Sequence, residues 1–158
     1  MRLYERLAEQ GCEVDVLGAT SEMQANAPRP GLIHMRPLGS CAAPAFLHDL
    51  DCFFYRTSPQ WAEPWGRVII EAMASGLPVV TDRTSGASSV IEHGRNGLLF
   101  DTTEEAFDLI MKLARDPALR RSLGQAGRVT AEDLLSADVR ARLEAFYLDP
   151  AAPSRSQP

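Results

Sequence analysis

Two glutamates eight positions apart, Glu63 and Glu71, carry the densest chemistry in this sequence. They bracket Pro64-Trp65-Gly66-Arg67-Val68-Ile69-Ile70, and Ala72-Met73-Ala74-Ser75-Gly76 follows. Proline at a first helical position, an apolar body and a glycine just past the end predict a helix over 64–75. On such a helix the two carboxylates lie roughly 12 Å apart along the axis and are rotated by roughly 80°. Carboxylate pairs that hydrolyse one glycosidic bond sit about 5–9.5 Å apart, so an acid/base pair on a single bond does not fit. An elongated ligand fits better. Its anionic part would lie at the helix N-terminus, where amides and dipole favour negative charge, and its hydroxyl-rich parts near each carboxylate. A nucleotide sugar has this layout.

Taken alone, Glu63 also reads as a first-turn carboxylate that complements the helix dipole, worth about 0.3–1 kcal/mol. Glu71 interrupts a segment that is apolar almost all round, and a carboxylate there needs a partner. Gly66 is either a flexible start to the helix or a place where the missing side chain lets a phosphate or sugar approach the backbone. Trp65 is a packing anchor or a platform for a ring. His34, His48 and His93 are scattered, and no Ser/His/Asp or Cys/His grouping suggests nucleophilic catalysis.

The elements that must position these residues alternate between helix and strand. Residues 1–10 fit an amphipathic helix ended by Gly11, and Glu13–Leu17 alternates as a strand closed by Gly18. Residues 19–30 read as a loop or frayed helix, 32–35 as a strand, 44–50 as a short helix and 52–55 as a buried strand. A loop over 56–62 leads to the 64–75 helix. The run Leu77-Pro78-Val79-Val80 is the next strand, followed by a turn at Ser85-Gly86, a helix over 88–93, a tight turn over 94–97 and a strand over 98–100. Thr102 and Glu105 form a capping box for a helix to about residue 115. Further helices are predicted over 117–127 and 131–148, and the Pro/Ser-rich residues 149–158 as a disordered tail. This alternation predicts an α/β fold, a Rossmann-like doubly wound parallel sheet, with residues 1–148 as one domain. Ligands of such sheets bind beyond the carboxyl ends of the strands. The 56–62 loop, the 82–87 turn and the start of the 64–75 helix therefore belong on one side.

Composition narrows the partners. The chain has 158 residues and a formal net charge of −5, with no Lys/Arg run that would suit nucleic acid. Three widely spaced cysteines form no zinc pattern and read as reduced thiols. No carboxylate cluster suggests a metal, and no cofactor is expected. The first ten residues alternate charged and apolar side chains, unlike a signal peptide, and no apolar run approaches the roughly 18 residues of a membrane span. A cytoplasmic protein is expected, with contact at a membrane surface left open.

The stretch EPWGRVIIEAMASGLPVV, continued by TDRTSGASSVIEHGRNGLLF, resembles the donor-binding half of retaining glycosyltransferases of the GT-B fold, family 4. About residues 13–147 align with that half. The resemblance implies that Glu63 is the catalytic carboxylate beside the donor sugar and that Glu71 holds the ribose. Trp65, Gly66 and Arg67 then join Glu71 as donor-binding residues, with a nucleotide sugar as partner. It implies sugar transfer with retention in carbohydrate biosynthesis, without a metal. Three departures stand out. Ser85 and Ser89 occupy places where the family has Gly and Glu. No segment before Glu13 matches the family's opening strand with its diphosphate-binding Arg and Lys; Arg2 and Arg6 do not fit that pattern. An acceptor domain, or a partner chain in its place, is also missing from these residues. A GT-B sugar-nucleotide epimerase and a non-catalytic binding module are the alternative readings.

Overall fold

The computed structural model describes residues 2–27, 31–57, 66–138 and 141. Glu63 and Trp65 lie outside the described residues, as do most of the predicted 56–62 loop and the tail over 149–158. In chain order the elements are α1 (Arg2–Glu9), β1 (Val14–Leu17), α2 (Ser21–Ala25), β2 (Ile33–Arg36), α3 (Ala43–His48) and β3 (Phe53–Tyr55). There follow α4 (Arg67–Ala74), β4 (Val79–Asp82), one 3₁₀ turn (Gly86–Val90), β5 (Leu98–Phe100), α5 (Thr103–Arg115) and α6 (Pro117–Leu134).

All strand pairs are parallel, and helices cover both faces, as the alternation of elements predicts. In β3–β4–β5, Phe53 stands opposite Val79 and Phe54 opposite Val80, while Val80 stands opposite Leu98. The two-residue period of a strand then divides the side chains between two cores. Val80, Leu98 and Phe100 pack with Leu3, Leu7, Ile110 and Leu113 on the α1/α5 face. Val79 and Leu99 pack with Leu47, Ile69, Met73 and Ile91 on the α3/α4 face. Phe54 stacks on Phe100 at 5.5 Å and 18°, and Tyr4 meets its edge at 6.3 Å, which joins α1 to the centre of the sheet.

The strands do not form one continuous sheet. β1 pairs with β2, β3–β4–β5 form a second group, and β1 and β3 are not hydrogen-bonded to each other.

Three element boundaries differ from the sequence reading. Gly66 is left-handed (φ 50°, ψ 42°), so the helix carrying Glu71 begins at Arg67 rather than at Pro64. The 88–93 helix is a single 3₁₀ turn. Asn96 accepts from the Glu92 amide at 2.7 Å and donates to the Val90 carbonyl at 3.1 Å, which holds residues 90–96 as a loop. Asn96 also donates to Thr130 Oγ1 at 3.0 Å, and so ties this loop to α6. The break expected between the helices over 117–127 and 131–148 is absent, since α6 runs through it to Leu134; residues 137, 138 and 141 are again helical, and the rest of the predicted 131–148 helix lies outside the described residues. Gly127, where the first of these helices was expected to end, and Gly124 face neighbouring backbone instead. A Cβ on Gly124 would overlap the carbonyl of Gly76, and one on Gly127 would lie 3.1 Å from the Asn96 carbonyl oxygen. They allow α6 to press against the loop that leaves α4.

The capping box holds in a shifted form. Thr102 Oγ1 accepts from the Glu105 amide at 3.1 Å, while Glu105 accepts from the Asp101 amide at 2.8 Å, one residue before the cap. Cys12, Cys41 and Cys52 are free. Burial pushes the Cys52 thiol up to about 12, so it packs as a neutral group.

Candidate functional site

Three pieces of chain converge where β3 and β4 end. The first is the turn after β4. Ser85 caps it, accepting from the Ala87 amide at 3.3 Å, and Ala87 is buried. The second is the N-terminus of α4. A Cβ on Gly66 would lie 2.6 Å from the Cβ of Ala87 and 3.2 Å from its backbone nitrogen, so the helix start rests directly on the turn. The third is the segment leaving β3, clamped to the end of β4 by Asp82. The Thr57 amide donates to Asp82 Oδ2 at 2.6 Å and the Thr57 hydroxyl to Oδ1 at 2.7 Å. The Thr84 amide donates to Oδ1 at 3.1 Å, and its hydroxyl donates to the same oxygen. For their described residues, 56–57 of the first loop, the 82–87 turn and Gly66–Arg67, the expectation that the three lie on one side is met.

In the sequence Asp82 stands only as the first residue of the 82–87 turn. It is a buried carboxylate that joins two loops. The one available signal was an acidic residue closing an apolar strand. Burial raises its pKa, but the hydroxyls and amides of Thr84 and Thr57 outweigh that and hold it below the usual carboxylate value. A carboxyl whose pKa is depressed by folding stabilises the folded state above the unfolded value of about 3.9. That contribution is lost as pH falls through the lower folded value. Asp82→Asn should therefore cost about 1.5–3 kcal/mol at neutral pH. The gap to the unaltered chain should begin to shrink as the pH falls below the unfolded value of about 3.9. Denaturant titrations at about pH 7 and about pH 3 check this, and an equal gap at both would contradict it.

Of the predicted donor-binding residues, Gly66, Arg67 and Glu71 are described. Glu71 lies one helical turn beyond Arg67, with its side chain 40% exposed. Glu71 is thus not enclosed by the apolar residues around it in sequence, and its carboxylate pairs with Arg67, whose Nε donates to Glu71 Oε1 at 3.1 Å. The Arg67 side chain is 86% exposed. Glu71 and Val68 line a groove that continues past Tyr55 and Arg56 at the end of β3. Ser89, in place of the family's Glu, is exposed and donates to the Gly86 carbonyl at 3.4 Å. Arg6 has a structural place, paired with Glu104 at 3.5 Å and lying 4.1 Å over the Phe107 ring. His93 Nδ1 accepts from the Leu99 amide at 3.0 Å and ties the 94–97 turn to β5. Among the described residues, no group of three or more His, Cys, Asp or Glu could hold a metal ion. No helix among them is long and apolar enough to cross a membrane.

Together these elements form a parallel α/β half-fold with a helix N-terminus and two joined loops at the carboxyl edge of its strands. The family described as glycosyl transferases group 1 matches residues 35–130, more than half of the chain. The chain belongs to the group 1 glycosyl transferases. It is 42% identical over 77 residues to the D-inositol 3-phosphate glycosyltransferase of Pseudarthrobacter chlorophenolicus, a match covering 48% of this chain and 18% of that protein. It is 40% identical over 78 residues to spore coat protein SA of Bacillus subtilis, covering 48% of this chain and 21% of that one. Among solved structures it is similar to Anabaena Alr3699/HepE in complex with UDP-glucose, with a TM-score of 0.73 and 22% identity over 94% of this chain and 44% of that one. TarM gives a TM-score of 0.76 at 21% identity, covering 92% of this chain and 30% of that one. At such identities the likeness is one of fold, and that fold is GT-B. The chain spans less than half the length of these relatives.

Proposed function

We propose that these residues form the donor-binding half of a retaining glycosyltransferase that moves a sugar from a nucleotide sugar to an acceptor. The observation that carries this reading is the contact of Gly66 with Ala87 beside the Asp82–Thr57 clamp. It puts the start of α4 and both loops around one space at the carboxyl edge of the strands. The first amides of an α-helix are not claimed by the helix itself. In this reading they receive the donor diphosphate, assisted by the exposed Arg67 turning away from Glu71. Glu71 accepts hydrogen bonds from the ribose hydroxyls. Glu63 holds the sugar hydroxyls and stabilises positive charge at the anomeric carbon as its bond to the diphosphate breaks. The helix-end amides stabilise the departing diphosphate. The acceptor hydroxyl oxygen then bonds to the anomeric carbon on the face that the diphosphate leaves, and its proton passes to an oxygen of the departing diphosphate. The UDP-glucose complex of the HepE neighbour supports a nucleoside diphosphate sugar as the donor class.

Transfer also requires an acceptor held against the anomeric carbon, and such orientation is worth about 7–11 kcal/mol of barrier. In GT-B enzymes that surface belongs to the other domain. The 158-residue chain by itself is therefore expected to bind donor with a dissociation constant on the order of 1 mM or weaker, about −4 kcal/mol. It should transfer no sugar above background. Donor titration by calorimetry and a radiolabelled-sugar transfer assay check both. Turnover at an ordinary enzymatic rate would overturn the half-enzyme reading.

A further inference from the structure

The two segments that Asp82 joins lead to different parts of the site. Its backbone is fixed at the end of the fully buried strand β4, opposite Phe100 of β5, and the next amide, of Arg83, donates to the Phe100 carbonyl at 3.1 Å. β3 pairs with β4 only as far as Tyr55. Beyond that point the Asp82 side chain takes over from the backbone ladder. It accepts from the Thr57 amide at 2.6 Å, and the Thr57 hydroxyl lies 2.7 and 2.8 Å from its two oxygens. The same carboxylate accepts from the amide and hydroxyl of Thr84. The two arginines beside these residues are bonded elsewhere, Arg56 to Thr103 at 3.1 Å and Arg83 to Asp101 at 3.0 Å. A carboxylate has about four acceptor positions, whereas an amide side chain in its place offers one oxygen and turns an N–H toward a donor. Taking an amide and a hydroxyl from each of two loops therefore suits an aspartate and not an asparagine.

Residues 58–65 separate Thr57 from Gly66 in the chain, and Glu63 is among them. The two residues that flank this stretch rest on one turn, Thr57 on Asp82 and Gly66 on Ala87. The Gly66 end is held a second time by α4, whose Ile69, Ala72 and Met73 are fully buried. The Thr57 end is held by the clamp. We propose that Asp82 is a positioning residue for the sugar-binding carboxylate: it fixes the start of the stretch that carries Glu63 against the turn that supports the start of α4. The proposal rests on the donor reading above and separates the sugar from the nucleotide within it. Loss of the clamp frees one end of the stretch, and a segment held at one end samples many more arrangements than one held at both. The start of α4 and Glu71 are held by the helix and keep their places. Sugar recognition should thus fail before nucleotide recognition does.

The test measures, on the full chain by amide-shift titration, the affinity for a sugar nucleotide relative to that for its nucleoside diphosphate. UDP-glucose with UDP is one pair of probes, and GDP-mannose with GDP another. A variant that merely unfolds part of the population weakens both ligands by the same factor, so this ratio does not respond to stability. In Asp82→Asn the ratio should fall about fivefold, and no further than Glu63→Ala lowers it. Thr57→Val removes the hydroxyl and keeps the amide bond, so it should lower the ratio part of the way, while Thr57→Ser should leave it unchanged. This milder pair decides the matter where Asp82→Asn does not fold. In the Glu63→Ala background neither Asp82→Asn nor Thr57→Val should lower the ratio further, because the residue that the clamp positions is gone. An unchanged ratio in the clamp variants, or an equal fall with Glu63 already removed, would overturn the positioning role and leave the donor reading standing. If neither nucleoside diphosphate binds the unaltered chain, the donor reading falls, and the positioning role with it.

Discussion

Glu71→Ala is expected to weaken binding of a free nucleoside diphosphate by roughly 1.5–3 kcal/mol, the usual worth of hydrogen bonds to a charged group, or about 10- to 150-fold. Glu63→Ala should leave the free nucleotide unaffected and weaken only the sugar-bearing donor. The contrast follows from where the two carboxylates act in the proposed site, one on the ribose and the other on the sugar. In the structure the Glu71 carboxylate is paired with the exposed Arg67. Its loss should therefore change folding stability little, since an exposed pair four residues apart on a helix is worth about 0.3–0.5 kcal/mol. Calorimetry of both variants with both ligands makes the measurement. Equal losses for the two ligands in Glu63→Ala would remove its role at the sugar.

The second large effect is steric. Gly66→Val should destabilise the fold by two separate mechanisms. A non-glycine residue in the left-handed region costs about 1–2 kcal/mol. Crowding Ala87, which a Cβ would approach to 2.6 Å, adds about 1–3 kcal/mol. The two mechanisms can be separated. Gly66→Ala combined with Ala87→Gly relieves the overlap but not the backbone cost. The double variant should thus recover part, and only part, of the stability lost by Gly66→Ala in a denaturant titration. Full additivity of the two substitutions would contradict the contact. Any donor binding that depends on the helix start resting on the 3₁₀ turn should weaken alongside.

The parts of this molecule that were legible from sequence rest on local rules. The Thr102 cap, the alternating strands and the apolar helix bodies each depend on residues close in the chain, and they stand where expected. What escaped depends on contacts between distant segments. Gly124 and Gly127 look like helix terminators, but they mark close approach of α6 to the backbone at Gly76 and Asn96. Their three-residue spacing, which puts both on one helix face, was the available clue. Asn96 holds the 90–96 loop against α6 by side-chain bonds that nothing in the local sequence announces. The site divides in the same way. The Glu63/Glu71 spacing and the glycine between them are visible in one dimension. The Asp82 clamp needs Thr57, which is 25 residues away. The division of the strands into two sheets likewise could not be read from strands that each look ordinary.

The central claim is that donor phosphate lies over the start of α4, and amide chemical shifts test it most directly. Adding a nucleoside diphosphate to the isotope-labelled chain should move the Gly66 and Arg67 amides, and that of Trp65, far more than amides within 103–134. Shifts confined to α5 and α6, with Gly66 and Arg67 unmoved at saturation, would contradict the account.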